Sequence, residues 1–240
     1  MNGKSVSLLK ALTREQLLGN YPKLSVYVAL YILIYFTLSE LLLMIKVTGF
    51  TVSVLVSLVQ ALLIDIFTVG FVRICMRLIR GQEINIKEFF YVLKHDPDKV
   101  IILAFVMWVF STLIQLPILL PDSVAETLGL GRGAFVFAKC VLVSAFLIVY
   151  IYAYILLSQC YYLYLDRPEC SVKEMMLLSI SVMNHHKGRF FYLMFNVFGM
   201  ACLVILTFGI GIFWMLPNMN VLMINFYEDI KAEFDDVTLR

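Results

Sequence analysis

The sequence predicts an all-α integral membrane protein with six transmembrane helices. Of its 240 residues, 62% are hydrophobic and 15% are charged, whereas an average soluble domain is about half apolar and a quarter charged. The mean hydropathy is +0.90. Several apolar runs exceed the roughly 18 residues that mark a membrane-spanning helix. Composition and run length together indicate that the lipid bilayer is the environment of this chain.

The apolar runs, taken in order, predict spans over residues 24–45, 50–72, 99–120, 134–157, 190–208 and 212–228, all within one membrane domain over 1–240. The last two spans come from one nearly continuous apolar stretch, which is too long for a single crossing at about 1.5 Å per residue. Gly209 and Gly211 in the segment FGIG favour a helix stop and a tight turn. Pro217 then falls in the second turn of the last helix, where a proline is tolerated.

The distribution of Lys and Arg predicts the orientation, because cytoplasmic loops of membrane proteins are enriched in these residues. The N-terminal segment, the loops 73–99 and 164–189, and the C-terminal tail carry four, six, four and two of them. The three opposite loops together carry only Lys46, Arg132 and Lys139. We therefore expect both termini in the cytoplasm.

Two similar polar segments predict an internal repeat. NIKE at 85–88 and SVKE at 171–174 each place a capping residue three positions before Glu, which is the capping-box arrangement of a helix start. We expect amphipathic helices over 84–95 and 171–184 in the cytoplasmic interface, with a looser copy over 5–20. Polar turns follow the first two, HDPDK and HHKGR, and each turn leads into an outward span. The chain thus predicts three units, each with an interfacial helix, an outward span and an inward span.

Polar residues inside the spans are the candidates for a functional site, because ionisable groups are costly there. The inner half of the predicted bundle contains the candidate intramembrane site, formed by Asp65, Arg73, Gln159, Asn196 and Asn225. Interhelical hydrogen bonding that holds the bundle together is the alternative role for the Asn and Gln residues. Glu40 and Lys139 fall at about the same depth on the outer side, which predicts an ion pair. Separate contacts of these two residues with outer headgroups are the alternative.

The polar turns predict lipid contacts in preference to metal binding. His185 and His186 are the strongest metal candidates, but adjacent histidines point in different directions and no Cys or second His at i+4 completes a ligand set. Basic residues near the turns are expected to contact lipid headgroups: Lys94, Lys99, Lys187 and Arg189. The five scattered cysteines, the net charge of +2 and the lack of a catalytic motif predict no metal, cofactor, nucleic acid or enzymatic activity.

Four segments occur in a distinctive order along the chain: LTREQLLGNYPKL, RLIRGQEINIKEFF, LSISVMNHHKGRFFYL and LTFGIGIFWMLPNMNVLMINFYEDI. Together they resemble the domain-of-unknown-function-975 family of six-span bacterial membrane proteins, which is common in Gram-positive Firmicutes. The usual Met-x-Gly-His-Lys element of the family is altered to MNHHKG in this chain. The resemblance implies a six-span fold in the bacterial plasma membrane and implies no chemistry, because the activity of the family is unassigned.

Two functions fit this sequence. The first is a non-catalytic membrane partner, regulator or envelope-maintenance factor, and the alternative is a transporter or lipid-handling permease with its site among the inner-half polar residues. A transporter requires a polar path and broken helices at mid-depth, whereas a scaffold requires a dry, packed interior. Pro117 and Pro217 lie near the outer ends of their spans, and no mid-span break is predicted. This pattern favours the first function, in which another membrane protein is the partner.

Overall fold

The computed structural model describes residues 4–44, 50–120, 127, 129 and 131–238. Ile45, where the first predicted span ends, and Lys46 lie outside these ranges. Within them the secondary structure is helical, with a 3₁₀ turn at Val92–Lys94 and the following α-helices: α1 (Val6–Leu17), α2 (Tyr21–Leu43), α3 (Phe50–Ile79), α4 (Ile86–Phe89), α5 (Pro97–Leu119), α6 (Arg132–Leu157), α7 (Cys160–Asp166), α8 (Val172–Leu206) and α9 (Ile212–Thr238).

Five helical segments are long and apolar enough to cross a membrane: Tyr21–Leu41, Val52–Ile79, Pro97–Ile118, Arg132–Asp166 and Val172–Leu206. They contain 21 to 35 residues, and about 20 helical residues cross the hydrocarbon layer. At most 17% of the residues in the most apolar window of each segment are buried inside the protein, as expected when lipid is the surrounding solvent. The chain is therefore a multi-pass membrane protein.

Helix α9 forms the centre of the bundle. It packs against α1, α2, α3 and α8, and its middle section contains the most deeply buried side chains of the molecule, among them Val221, Leu222, Ile224, Phe226 and Tyr227. Protein therefore surrounds this helix on several sides where lipid would surround an outer one. That enclosure explains why α9 can contain the buried polar residues Asn220 and Asn225.

A tight turn connects α8 to α9 at residues 207–211, where the sequence places FGIG. Gly209 has a φ angle of 91°, in the left-handed region that glycine adopts most easily. Its backbone N–H donates to the carbonyl of Val204 at 2.8 Å and so closes the end of α8. At Gly211 a Cβ atom would lie 2.8 Å from the Thr207 Oγ1 atom, so the turn also needs the small residue there.

Helix α8 is continuous, which differs from the predicted short helix over 171–184 followed by a turn. Ser171 and Glu174 form the predicted capping box, with bonds of 2.8 and 3.3 Å, and this part of the prediction is confirmed. The turn predicted at HHKGR is wrong, because the helix runs through it to Leu206. The physical reason is that this segment has no proline, whereas Pro97 in HDPDK starts a new helix. Its polarity reflects contacts with other helices.

The first polar segment, predicted as a helix over 84–95, docks against α3. It folds as α4 and the 3₁₀ turn, so the helix is shorter than predicted. Phe89 and Phe90 pack against Phe67 of α3, with ring centroids 5.9 and 6.0 Å apart. The approach depends on Gly70, since a Cβ atom there would lie 2.0 Å from the carbonyl oxygen of Phe89. Helix α3 therefore covers Phe89 and Phe90, which belong to the apolar face that the sequence predicts to contact lipid.

Candidate functional site

A cavity with a volume of about 260 Å³ lies inside the bundle, between α3, α5, α6, α7 and α9. Its apolar wall includes Val72, Leu103, Met107, Leu157 and Met219, and its polar wall includes Asp65, Thr68, Ser158, Tyr161 and Asn220. The volume corresponds to about eight or nine water molecules at about 30 Å³ each. A largely apolar cavity with a few converging polar groups is the usual form of a small-molecule site.

Asp65 is the charged residue of this cavity and lies near the midpoint of the apolar segment Val52–Ile79. Four tyrosines interact with it electrostatically, namely Tyr31, Tyr150, Tyr154 and Tyr161. Among the described residues, no Lys or Arg side chain pairs with this carboxylate. A carboxylate in a low-dielectric interior needs a cation, a proton or strong hydrogen bonds to offset the cost of desolvation. Asp65 therefore has unmet capacity for a positively charged group.

The Tyr161 hydroxyl is a hydrogen-bonding partner for Asp65. The contact is loose, because the buried hydroxyl oxygen has no partner within strict hydrogen-bond geometry among the described residues. By contrast, the Thr68 hydroxyl donates to the Ile64 carbonyl at 2.9 Å and forms a 3.1 Å bond with the Tyr31 hydroxyl. Since buried polar groups are nearly always paired, the Asp65 carboxylate and the loosely paired Tyr161 hydroxyl have capacity for a ligand or water.

The interruption between α6 and α7 forms part of the cavity wall. Helix α6 ends at Leu157 and α7 begins at Cys160, so Ser158 and Gln159 separate them. The Ser158 hydroxyl donates to the Ile155 carbonyl at 2.8 Å and accepts a 2.8 Å bond from the Gln159 amide. Gln159 is fully buried and its Oε1 atom has no partner in the described chain. The predicted fourth span also ends at residue 157, but the sequence does not predict the helix that resumes at Cys160.

Apart from Asp65, the predicted members of the intramembrane site lie outside the cavity wall, including Gln159. Asn225 donates to Thr13 at 3.0 Å and to Gln16 at 2.7 Å, and so joins α9 to α1. Asn196 contacts the sulfur of Met200 at 4.0 Å along its own helix. The Asn225 bonds match the bundle-holding role that the sequence leaves open for such residues, whereas the Asn196 contact stays within α8.

Arg73 points toward α4 and takes part in an ion-pair cluster. Its Nε atom lies 2.6 Å from Glu88 Oε2, and Arg77 lies 3.1 Å from Glu88 Oε1. The guanidinium of Arg73 also stacks 3.4 Å from the centroid of the Tyr91 ring. Glu88 therefore pairs with two arginines of α3 and does not cap its own helix, so the first predicted capping box is incomplete. The other half of the cap is present, because Asn85 Oδ1 accepts from the Lys87 N–H at 3.0 Å.

Asp166, at the end of α7, is the centre of a second cluster. Arg80 lies 3.0 Å and Lys231 lies 2.6 Å from its carboxylate oxygens, and the Tyr227 hydroxyl donates at 3.0 Å. Arg80 also pairs with Glu228 at 2.5 Å. Burial lowers the pKa of the Arg80 guanidinium, but hydrogen bonds and charges from Glu228 and Asp166 outweigh burial and raise that pKa above its ordinary value.

A third cluster joins the start of the chain to α8 and α9. Asp229 accepts from Arg189 at 2.5 Å and from the backbone N–H of Lys4 at 3.0 Å, and only 6% of its side chain is exposed. The three clusters lie where α3, α7 and α9 leave the apolar part of the bundle. We call them together the charged face, formed by Arg73, Arg77, Arg80, Glu88, Asp166, Arg189, Glu228, Asp229 and Lys231.

The predicted outer ion pair stays a prediction. Lys139 donates to the Leu120 carbonyl at 2.6 Å and lies 4.6 Å from the centroid of the Phe135 ring. Glu40 is exposed on α2. Helix α2 packs mainly on α3 and α9, whereas the helix of Lys139, α6, packs mainly on α5 and α8.

The predicted headgroup contacts also stay predictions. Lys94 is exposed, while Lys99 donates to the Pro168 carbonyl at 2.5 Å and Lys187 donates to the Tyr152 hydroxyl at 2.9 Å. Arg189 pairs with Asp229. Within the described ranges, no group of three His, Cys, Asp or Glu side chains is arranged to hold a metal ion.

The tyrosines of the cavity are not among the residues that the sequence pattern singles out. Aromatic residues in a membrane protein are expected in belts at the two interfaces. The available signal is their density, since six of the thirteen tyrosines lie between positions 150 and 164. A cluster of phenols in one inward span, followed by the polar pair Ser158 and Gln159, distinguishes this span from an ordinary apolar helix.

The apolar helices, packed around the central helix α9, define an α-helical, multi-pass membrane protein. The chain belongs to the family described as "Protein of unknown function (DUF975)", whose family model matches residues 1–233, nearly the whole chain. A search of curated proteins and a search of solved structures found no match.

Proposed function

We propose that this chain is a non-catalytic transport protein that carries a small molecule across the bilayer by way of the cavity at Asp65. The observation that carries the proposal is a carboxylate near the midpoint of an apolar helix, without a cationic side chain beside it in the described chain. Ionisable residues at such depth commonly mark substrate or ion pathways. The two-residue interruption between α6 and α7 also supports it, because Ser158 there adds a polar side chain to the wall of the cavity.

The proposed membrane arrangement has six spans in three units, with both termini in the cytoplasm of a bacterium. Its sixth span would be α9, whose 27 residues extend about 40 Å at about 1.5 Å per residue. The concentration of Lys and Arg on one side supports the orientation, and the length of α9 supports a sixth span beside the five apolar segments. The charged face would then lie at the cytoplasmic end of the bundle.

A second candidate is a non-catalytic regulator or envelope-maintenance partner of another membrane protein. The observation that favours it is the charged face, where ion pairs tie α3, α7, α8 and α9 together at one end. Such a fixed end suits a static scaffold better than a bundle that must open on both sides. The two candidates differ in whether the cavity can be reached from water.

Cysteine accessibility tests the proposal. Thr68→Cys, in a background with the five native cysteines replaced, places a thiol on the cavity wall. A transport site must open to each side in turn, so small impermeant thiol reagents should label this cysteine in intact cells and in inverted vesicles. Reagents with positive and negative charges should both be used. Protection from both sides would favour the regulator, and labelling from one side alone would contradict transport.

Two control positions make the result interpretable. Val69→Cys lies beside Thr68 but is fully buried, so it should resist the reagents from both sides. Lys94→Cys lies at an exposed position beside α4 and should react only in inverted vesicles. Labelling of Lys94→Cys in intact cells would contradict the proposed orientation without bearing on the cavity.

A further inference from the structure

We infer, on the basis of the proposed function, that the ligand of the cavity is a small organic ammonium cation held by Asp65 and by tyrosine rings. The charge argument comes first. Among the described residues, the groups that act on Asp65 are tyrosines, and neither Lys nor Arg balances its carboxylate. An anionic ligand would be repelled at this depth, whereas a cation would supply the missing counter-charge. In a low-dielectric interior that attraction is much stronger than in water.

The wall of the cavity favours an organic cation over a metal ion. Hard metal cations take about six to eight oxygen ligands, but the wall here is mainly apolar and includes Leu103, Met107 and Met219. Tyr154, Tyr161 and Tyr162 line the same space. Aromatic rings attract ammonium groups through their negative faces and form the known cages for quaternary ammonium ligands. The apolar side chains would then contact the hydrocarbon part of the ligand.

The remaining polar groups are consistent with a single ammonium centre. Thr68 already donates to Ile64 and bonds to Tyr31, so Asp65, with Tyr161 loosely paired to it, is the charged group left to meet a ligand. A volume of about 260 Å³ holds about eight or nine separate water molecules, and bonded atoms pack more closely than separate molecules, so a ligand of about ten heavy atoms fits. Benzyltrimethylammonium has this size and keeps its charge at every pH.

A binding series on the purified full-length protein in detergent tests the inference. The probes are benzyltrimethylammonium, its uncharged isostere neopentylbenzene, and the anion phenylacetate, each measured by calorimetry and by thermal shift. We expect saturable binding of the cation, at least about tenfold tighter than that of the other two probes, which is a modest effect for a buried charge pair. Comparable binding of neopentylbenzene, tighter binding of phenylacetate, or no binding of any probe would overturn the inference.

Variants locate the binding. Asp65→Asn should weaken binding of the cation at least about tenfold, and Asp65→Glu should keep the preference for the cation over the isostere. Asp98→Asn changes an exposed carboxylate at the start of α5 and should leave binding unchanged. Equal cation binding by Asp65→Asn and the unmodified protein would overturn the inference. If Asp65→Asn does not fold, the probe series on the unmodified protein and Asp65→Glu still decides it.

Failure of this inference and failure of transport give different results. An accessible Thr68→Cys combined with no preference for the cation would leave a transport cavity for another class of ligand. Asp65-dependent cation binding combined with a Thr68→Cys that is protected from one side would leave a binding protein that does not transport. Each outcome removes one proposal and leaves the other standing.

Discussion

The charged face and the cavity place the same chemical group, a carboxylate, in opposite surroundings. At the charged face Asp166 lies within 3.0 Å of Arg80 and 2.6 Å of Lys231, and Asp229 lies 2.5 Å from Arg189. In the cavity Asp65 has tyrosines around it and no Lys or Arg partner among the described residues. Paired carboxylates hold helices together, whereas an unbalanced one near mid-span costs stability. The contrast indicates a structural role for Asp166 and a ligand-binding role for Asp65.

The two regions share helix α7. Tyr161 near its start lines the cavity, and Asp166 at its end anchors the charged face. These positions are separated by five residues, or about 7.5 Å along the axis. The ion pairs at Asp166 therefore fix the position of the short helix whose other end forms the cavity wall. Loss of the ion pairs at Asp166 should therefore increase the mobility of the cavity wall as well as that of the charged face.

The largest expected effect comes from Asp166→Asn. The substitution keeps the size of the side chain but leaves Arg80 and Lys231 without their shared carboxylate, and both lie partly buried. Breaking a buried ion pair commonly costs about 3–5 kcal/mol, and partial exposure of the two cations reduces the expected loss to about 2 kcal/mol. Thermal unfolding in detergent, followed by circular dichroism, should show a clear decrease in Tm.

Glu169→Gln is the matched control for Asp166→Asn. It also neutralises a carboxylate in this segment, but its side chain is exposed, and exposed charges contribute little to stability. Its Tm should stay close to that of the unmodified protein. An equal Tm for the two variants would contradict a structural role for the Asp166 cluster.

The next largest loss of stability is expected from Gly70→Ala, which disturbs the contact between α3 and α4 that holds Glu88 in the charged face. Gly70→Ala would place a Cβ atom 2.0 Å from the Phe89 carbonyl oxygen, so α4 must move away from α3. Overpacking of this kind typically costs about 1–3 kcal/mol. The displacement should also weaken the bond between Arg73 and Glu88. A lower Tm and faster proteolysis between residues 80 and 96 are the expected observations.

Gly188→Ala is the glycine control, because nothing lies within 4 Å of the added atom and the residue sits inside helix α8. Alanine favours a helix interior by up to about 1 kcal/mol relative to glycine. The control should therefore unfold at the same temperature as the unmodified protein or slightly higher. A Gly70→Ala variant as stable as this control would show that α4 does not pack tightly on α3.

A smaller effect is expected from Asn225→Ala. It removes the two hydrogen bonds, to Thr13 and Gln16, that join α9 to α1. Interhelical bonds of this type contribute about 0.6 kcal/mol each on average, so the loss should be about 1 kcal/mol. Asn196→Ala is the control, since that side chain contacts only a neighbouring sulfur in the described chain. If the two variants lose equal stability, Asn225 does not have this joining role.

The helices could be predicted from the sequence because apolar run length and capping are local properties. The capping box at Ser171 and Glu174 is the clearest example. The cavity could not be predicted, because it depends on which faces of α3, α6, α7 and α9 meet. Asp65 was recognisable from the cost of a charge in a span, but its tyrosine neighbours come from helices far apart in the chain. The same dependence on distant contacts applies to Arg73. The sequence pattern assigns its ion-pair partner Glu88 to a helix cap, and only the fold brings the two side chains together.

The smallest expected change in stability, and the sharpest test of the comparison, comes from Asp65→Asn. It is the same substitution as at Asp166, made where no Lys or Arg pairs with the carboxylate among the described residues. The amide has nearly the same shape and removes a charge that the unliganded interior does not balance. Replacing such a group by a neutral isostere is expected to leave stability unchanged or to raise it by up to about 1 kcal/mol. The unliganded variant should therefore unfold at or slightly above the Tm of the unmodified protein, in the same detergent and at the same pH. A loss as large as that of Asp166→Asn would mean that a cation already balances Asp65 in the unliganded protein, and the contrast between the two regions would fail. An unchanged or higher Tm, together with the decrease at Asp166, would show that the cavity carboxylate is retained for a purpose other than holding the helices together.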